Sequence, residues 1–287
     1  MRQIPGDRDN ELLGSLLSIA GFAAFSAVDA ISKTLSQAHS LPQILFLSGI
    51  FALLSALPLA SLLGGIAVRS LAVFAIIVAR GVMSAGMIGL TLYAVKLMPI
   101  ANVYSIRFFS PVITLLLALA ILKEAPRRMQ WLAVALGFAG IVLMSKPGGD
   151  IDPLAAGLAL AAAVAQSVSI ILVRVWKAYS TPLADMMIPL AILVLATGFF
   201  LPANYRSPNG EEWILYVAAG VLLAVGRLCL TFSIRLAPSS TIASIQYTQL
   251  LWGVLFGWLL FSELPTISIL AGSLLIVAAS VFSVRQR

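Results

Sequence analysis

The sequence predicts an all-α polytopic membrane protein, with ten transmembrane helices arranged as two inverted five-helix repeats. Three observations carry this expectation. Apolar residues make up 61% of the 287-residue chain and charged residues only 10%, against about 25% charged in an ordinary soluble domain. The apolar runs are continuous and close to the roughly 20 residues that a helix needs to cross a bilayer, without the alternation of a membrane β-barrel. The chain also matches itself when displaced by 139 residues.

Ten spans follow in order: 12–36, 42–63, 70–94, 101–122, 129–145, 155–177, 182–201, 211–236, 238–261 and 266–284. Turn chemistry marks their ends at Pro42, Gly64, Gly65, Pro99, Pro126, Pro147, Gly148, Gly149, Pro182, Pro208, Asn209, Gly210, Pro238 and Pro265. Residues 1–11 read as a tail, 12–146 as the first repeat, 147–154 as an outer linker, 155–284 as the second repeat and 285–287 as a tail. The first apolar run exceeds the usual h-region of a signal peptide and lacks a small-residue cleavage site, so it is read as a retained helix.

With the N-terminus inside, eleven Lys and Arg fall on the cytoplasmic side, four (Lys33, Lys96, Lys146, Arg206) outside, and three (Arg80, Arg107, Arg227) within spans. This bias places both termini in the cytoplasm. The net charge of +7 is then a topology signal and calls for no nucleic-acid partner. The single cysteine, Cys229, excludes an internal disulfide and a cysteine metal cluster. His39 is the only histidine, and no zinc, nucleophile-elbow or phosphate-loop motif appears. The chain therefore reads as neither an enzyme nor a self-contained ATPase, with no cofactor and no metal.

The repeat holds polar landmarks in register. Tyr93 to Pro99 lies over Phe232 to Pro238, with Lys96 over Arg235. Ser105 lies over Ser244, Glu124 over Glu263 and Pro126 over Pro265. At a displacement of 140, Ser40 and Pro42 lie over Ser180 and Pro182. An odd number of spans per copy makes the copies face opposite ways, which is the architecture of secondary transporters with a midplane site.

These residues resemble the drug/metabolite transporter superfamily in its ten-helix EamA-like branch. The resemblance rests on Arg80-Gly81, Leu97-Met98-Pro99, Pro111, Glu124 with Pro126, and Lys146-Pro147. The second copy repeats it as Leu236-Ala237-Pro238 and Glu263-Leu264-Pro265. It covers nearly the whole chain. The second copy departs at Ala219-Gly220, where the Arg-Gly pair is missing, and at Leu250 in place of Pro111. The resemblance implies a secondary transporter of small metabolites in the cell inner membrane, most simply an exporter or facilitator of amino acids. A vitamin such as riboflavin, a nucleotide or a drug are the alternatives. From another class, a membrane scaffold or lipid-handling protein remains open.

Polar residues inside spans are the expected site, because they are expensive in lipid. Helical periodicity puts Tyr104, Arg107, Pro111, Thr114 and Ala118 on one face of span four, and Gln246 with Gln249 on that of span nine. Ser26 and Asp29 align in span one, with Gln166 at the repeat position in span six. The candidate substrate-binding residues are Ser26, Asp29, Arg80, Tyr104, Arg107, Thr114, Gln166, Arg227, Gln246, Tyr247, Gln249 and Trp252. The in-span charge balance is +2, with Asp29 against three arginines, which favours an amino acid or organic anion over a cation. Structural readings compete. Arg107 or Lys33 pairs with Asp29, Arg80 anchors a helix, Arg227 packs tightly, Glu124 and Glu263 cap or gate, and Gly81, Ala85 and Gly89 form a packing stripe. The expected partners are the bilayer and a small solute, and a monomer is compatible with this architecture.

Overall fold

In the computed structural model, residues 5–60, 65–98, 100–126, 128–145, 152–201, 205–262, 264 and 266–284 are described. The turn marks at Gly64, Pro99, Lys146, Pro147, Gly148, Gly149, Glu263 and Pro265 lie outside them. Twelve helices follow one another among the described residues: α1 (Pro5–Leu35), α2 (Leu41–Ala56), α3 (Leu71–Leu97), α4 (Ile100–Arg107), α5 (Ser110–Leu117), α6 (Arg128–Ser145), α7 (Pro153–Trp176), α8 (Pro182–Phe199), α9 (Gly210–Leu236), α10 (Ser239–Ile245), α11 (Thr248–Phe261) and α12 (Ile267–Val284). Seven segments are long and apolar enough to cross a membrane, counting 102–122 as one, and 128–143 and 267–278 are shorter apolar helices. Large apolar side chains such as Leu71, Phe199 and Ile267 point outward, as lipid-facing positions do. The chain is a polytopic all-α membrane protein.

Local chemistry sets the starts. Asp152 accepts from the Ala155 N–H at 2.7 Å ahead of Pro153. Thr181 does the same for Ala184 at 3.3 Å ahead of Pro182. Asn209 and Glu212 form a reciprocal capping box at α9. Proline at the first helical turn has no N–H to leave unsatisfied. At the N-terminus the helix runs further than the sequence reading: α1 begins at Pro5, so much of the expected tail is helical.

Two expected spans are each broken in two. Span four becomes α4 and α5, interrupted at Phe108 and Phe109; span nine becomes α10 and α11, interrupted at Gln246 and Tyr247. Phe108 and Tyr247 are equivalent under the displacement of 139. In the first copy Pro111 cannot donate to the carbonyl one turn back, and the chain crosses the break on three-residue bonds, Phe109 N–H to Ile106 and Val112 N–H to Phe109. The second copy has Leu250 there, yet it breaks at the same place. Gln249 N–H bonds Gln246, Leu250 N–H bonds Tyr247, and the Thr248 hydroxyl donates to the Ile245 carbonyl at 2.7 Å, a side-chain substitute for the helical ladder. The two segments also end alike: Lys123 and Ser262, again 139 apart, both take the left-handed conformation at φ 55°.

Helix pairing is unchanged when the halves are exchanged. α1 packs on α9 as α7 packs on α3, α2 on α9 as α8 on α3, and α1 on α11 as α7 on α5. The equivalent helices α2 and α8 pack on each other, as do α6 and α12. Gly49 meets Val194 while Gly198 meets Phe46, so α2 and α8 run antiparallel. Equivalent helices thus point opposite ways, as inverted copies require. The contacts depend on small residues. A Cβ on Gly220 would lie 2.9 Å from the Ala52 backbone nitrogen, and one on Gly140 2.7 Å from the Gly272 oxygen. The expected stripe on α3 is only partly a packing surface: Gly81 is pressed against Ile192 and Pro189, whereas Gly89 has open space beside it.

Candidate functional site

The helices enclose a central cavity of about 430 Å³. Of the twelve candidate residues, Asp29, Arg80, Tyr104, Arg107, Gln166, Arg227, Gln246 and Gln249 line it. They come from α1, α3, α4, α7, α9 and α11, with Gln246 at the α10–α11 break. Phe22, Phe25 and Phe108 add aromatic wall.

One end is built around Arg107. Its guanidinium lies against the Tyr104 ring, 5.6 Å from the centroid, and Nη2 approaches the Met87 sulfur at 3.8 Å. Asp29 is close enough to act on it electrostatically, yet Arg107 makes no ion pair among the described residues, and its buried Nε has no partner. Asp29 instead accepts from the Gln249 side-chain amide at 3.3 Å. The Gln246 side-chain oxygen is also buried without a donor. Unsatisfied polar atoms of this kind are costly unless something supplies their bonds.

The other end is built around Arg80 and Arg227. Arg80 donates from Nε to the Ser169 hydroxyl at 3.3 Å and lies 3.6 Å from Asp185 Oδ1. Asp185 Oδ2 is held by Arg235 at 2.5 Å and by the Ser180 hydroxyl at 3.0 Å. Arg227 feels the Arg80 charge but has no ion pair among the described residues, and its Nε is buried and unpartnered. Asp185 adds a buried carboxylate to the residues the sequence singled out. It reads as peripheral, near the start of a span, but Arg80, Arg235 and the Ser180 hydroxyl close around it and it is buried in the cavity wall. Among the lining residues three guanidiniums face two carboxylates, but Arg235 behind the wall takes up Asp185, so with it the balance stays at +2.

Four candidates are placed elsewhere. Ser26 donates to the Gln249 carbonyl at 2.7 Å, bracing the break before α11. Ser167, one residue past the repeat position of Ser26, plays the same part and donates to the Ser110 carbonyl at 2.8 Å; positions 110 and 249 are repeat equivalents. Each first helix therefore braces the broken helix of the other half. Tyr247 is buried against Gly137 among Leu115, Val134, Ile141 and Ile276. Thr114 is fully buried outside the cavity wall, and Trp252 is half-buried away from it. A single helical period across a broken span explains the misplacement of Thr114, because the break resets the phase; Trp252 is a candidate for its ring alone.

A second polar cluster ties the ends of α7, α9 and α10. Glu124 pairs with Arg174 at 3.0 Å and accepts from the Ser239 N–H at 3.1 Å, capping α10. Arg174 and Lys177 both donate to the Arg235 carbonyl, at 3.2 and 2.9 Å. Arg174 and Arg235 count in the sequence among the cytoplasmic-side charges at span ends; here they are half-buried fasteners. No cluster suited to a metal is present among the described residues.

The chain is similar over most of its length to transporters. A riboflavin transporter of Brucella anthropi is 25% identical over 277 residues, 93% of this chain and 97% of that protein. A pseudopaline exporter of Pseudomonas aeruginosa is 26% identical over 279 residues, 93% and 94% of the two chains. An S-adenosylmethionine uptake transporter of Rickettsia felis is 26% identical over 195 residues, 66% and 65%. A crystal structure shares the fold with a TM-score of 0.76 at 18% identity, covering 96% of both chains. The sequence pattern of the EamA-like transporter family matches residues 12–146 and 153–285. With that pattern present twice around a polar cavity between packed apolar helices, the chain belongs to the EamA-like transporter family, within the drug/metabolite transporter superfamily, and is an integral multi-pass membrane transporter.

Proposed function

We propose that the chain is a secondary transporter that moves an amino acid or a related organic anion by alternating access around the central cavity, as an exporter or facilitator in the bacterial inner membrane. The observation that carries this reading is Arg107. A permanently charged guanidinium lines the cavity beside a helix break, with a buried nitrogen lacking a partner. Such a group suits a carboxylate, which matches its planar fork. Gln246, at the equivalent repeat position, adds a neutral acceptor across the inverted copy. Asp29 supplies the opposite charge for an ammonium group.

A second reading is a flavin-like substrate. Phe22, Phe25, Tyr104 and Phe108 in the wall favour it, as do relatives named as riboflavin transporters.

Flux of labelled amino acids, riboflavin and nucleotides into proteoliposomes tests both. Arg107→Ala is expected to reduce amino-acid flux about tenfold or more, Arg107→Lys to restore it in part, and Gln246→Ala to be milder, since a neutral hydrogen bond contributes about 0.5–1.5 kcal/mol. Wild-type flux in a well-folded Arg107→Ala protein would reject the assignment. Riboflavin as the only moved solute would select the second reading, and absence of flux of any solute would favour a scaffold.

In this reading an even number of spans leaves both termini on one side, and the Lys and Arg bias makes that side the cytoplasm, with the 208–210 loop outside. Impermeant thiol reagents on introduced cysteines report this arrangement. Labelling of the 123–128 turn from outside intact cells overturns it.

A further inference from the structure

Two rulers in the fold separate the charged ends of the cavity. On α3, Arg80 meets Ser169 at one level and Met87 meets Arg107 at another. They are seven residues apart, or about 10 Å at 1.5 Å per residue. On α1, the Gly226 backbone beside Arg227 packs between Gly21 and Phe25, and Asp29 stands on average six residues further along, or about 9 Å. Both spacings put the ends about 10 Å apart along the helix axes.

The two ends differ in charge. The Arg107 end holds one guanidinium with one carboxylate, Asp29. The far end holds Arg80 and Arg227 against Asp185 alone. That carboxylate is already engaged through Oδ2 by Arg235 and Ser180, and meets Arg80 only at 3.6 Å through Oδ1. Arg227 has nothing to neutralise it among the described residues. Between the ends the wall includes Phe25 on α1, Ser84 on α3 and Leu223 on α9.

We infer that Arg80 and Arg227 form a second oxyanion subsite, and that the substrate is an elongated amino acid with a distal acidic group about one cavity length from its head. The inference rests on the amino-acid reading above. The ammonium and carboxylate of the head face Asp29 and Arg107. The distal oxyanion bridges Arg227 and the free side of Arg80, displacing the loose contact to Asp185. An apolar linker crosses between them. Such a substrate carries one net negative charge, opposite in sign to the excess positive charge of the cavity.

Two probes of matched length test this by titration calorimetry on the full chain in lipid nanodiscs. L-α-Aminosuberate has the head and a distal carboxylate; L-α-aminooctanoate has the head and the same span without the acid. Aminosuberate is expected to bind about tenfold or more tightly, a charge-assisted contact being among the stronger ones. Arg227→Gln is expected to reduce that preference to about twofold. Equal binding of the two probes by the unmodified protein overturns the distal subsite and leaves the transport reading to the flux assay. A preference that survives in folded Arg227→Gln also overturns it. If neither probe binds, the inference fails; concurrent absence of amino-acid flux takes the parent reading with it, whereas flux of an amino acid leaves that reading standing.

Discussion

Asp185 is 4% exposed and is shared by Arg80 and Arg235, one from the cavity and one from the end of α9. Its worth lies in giving both guanidiniums a shared counter-charge. Removing one member of a buried ionic cluster leaves the others uncompensated, which costs about 3–5 kcal/mol. Asp185→Asn is therefore expected to lower the thermal unfolding temperature in detergent clearly, even though the amide keeps the shape. An unchanged transition would mean that water reaches the two guanidiniums. Asp185 was not legible as a cavity residue, because its burial depends on the neighbouring turn, not on its distance from the start of a span. Arg107, Gln246 and Arg227 were legible because any charge or amide deep in an apolar run demands a reason.

Helix packing is where small residues decide. On α3, a Cβ at Gly81 would lie 2.5 Å from Ile192 Cδ1 and 3.0 Å from the Pro189 Cα, while one at Gly89 would meet nothing within 4 Å. Gly81→Ala is expected to destabilise by about 1–3 kcal/mol, the usual scale of overpacking. Gly89→Ala should be neutral or gain up to about 1 kcal/mol from helix propensity. Thermal unfolding of the two variants side by side checks the contrast; equal losses would show that the stripe on α3 is packed at both levels. Sequence spacing put both glycines in one stripe, but only the position of α8 distinguishes them. The helix breaks teach the same lesson. Pro111 announced the first, and nothing so plain announced the second, where Thr248 and three-residue bonds take the place of proline.

At the scale of the molecule, the α2–α3 and α7–α8 loops clasp each other near Asp185. Val68 bridges Ser180, Arg69 N–H bonds the Tyr179 carbonyl at 2.9 Å, and Thr181 N–H bonds the Ala67 carbonyl at 3.0 Å. The repeat equivalent joins Gln43 to Arg206: the side-chain amide donates to the Arg206 carbonyl and accepts from its N–H, at 2.6 and 2.9 Å. Two similar clasps at opposite ends are what alternating access needs, since one must open as the other closes. Bridged residues of antiparallel strands lie about 4.5–5.5 Å apart at Cα, within disulfide range. In a Cys229→Ser background, Val68→Cys with Ser180→Cys is expected to stop flux when oxidised and to recover with dithiothreitol. Undiminished flux in fully cross-linked protein would reject opening at this clasp.

Composition, the length of the apolar runs and the displacement of 139 residues by themselves determined a helical membrane protein with a duplicated pattern. They could do so because lipid imposes a continuous apolar stretch on every spanning helix, and because duplication keeps prolines, glutamates and basic residues in register. They also singled out eight of the residues that line the cavity. Tertiary structure alone decided that Ser26 braces a broken helix, that Tyr247 and Thr114 are buried outside the cavity wall, and that Asp185 and Arg235 are joined at its far end. The physical reason is that a side chain's direction follows from helix phase and from the neighbour it meets. A break resets the phase, and the neighbour comes from the other half of the chain, more than a hundred residues away.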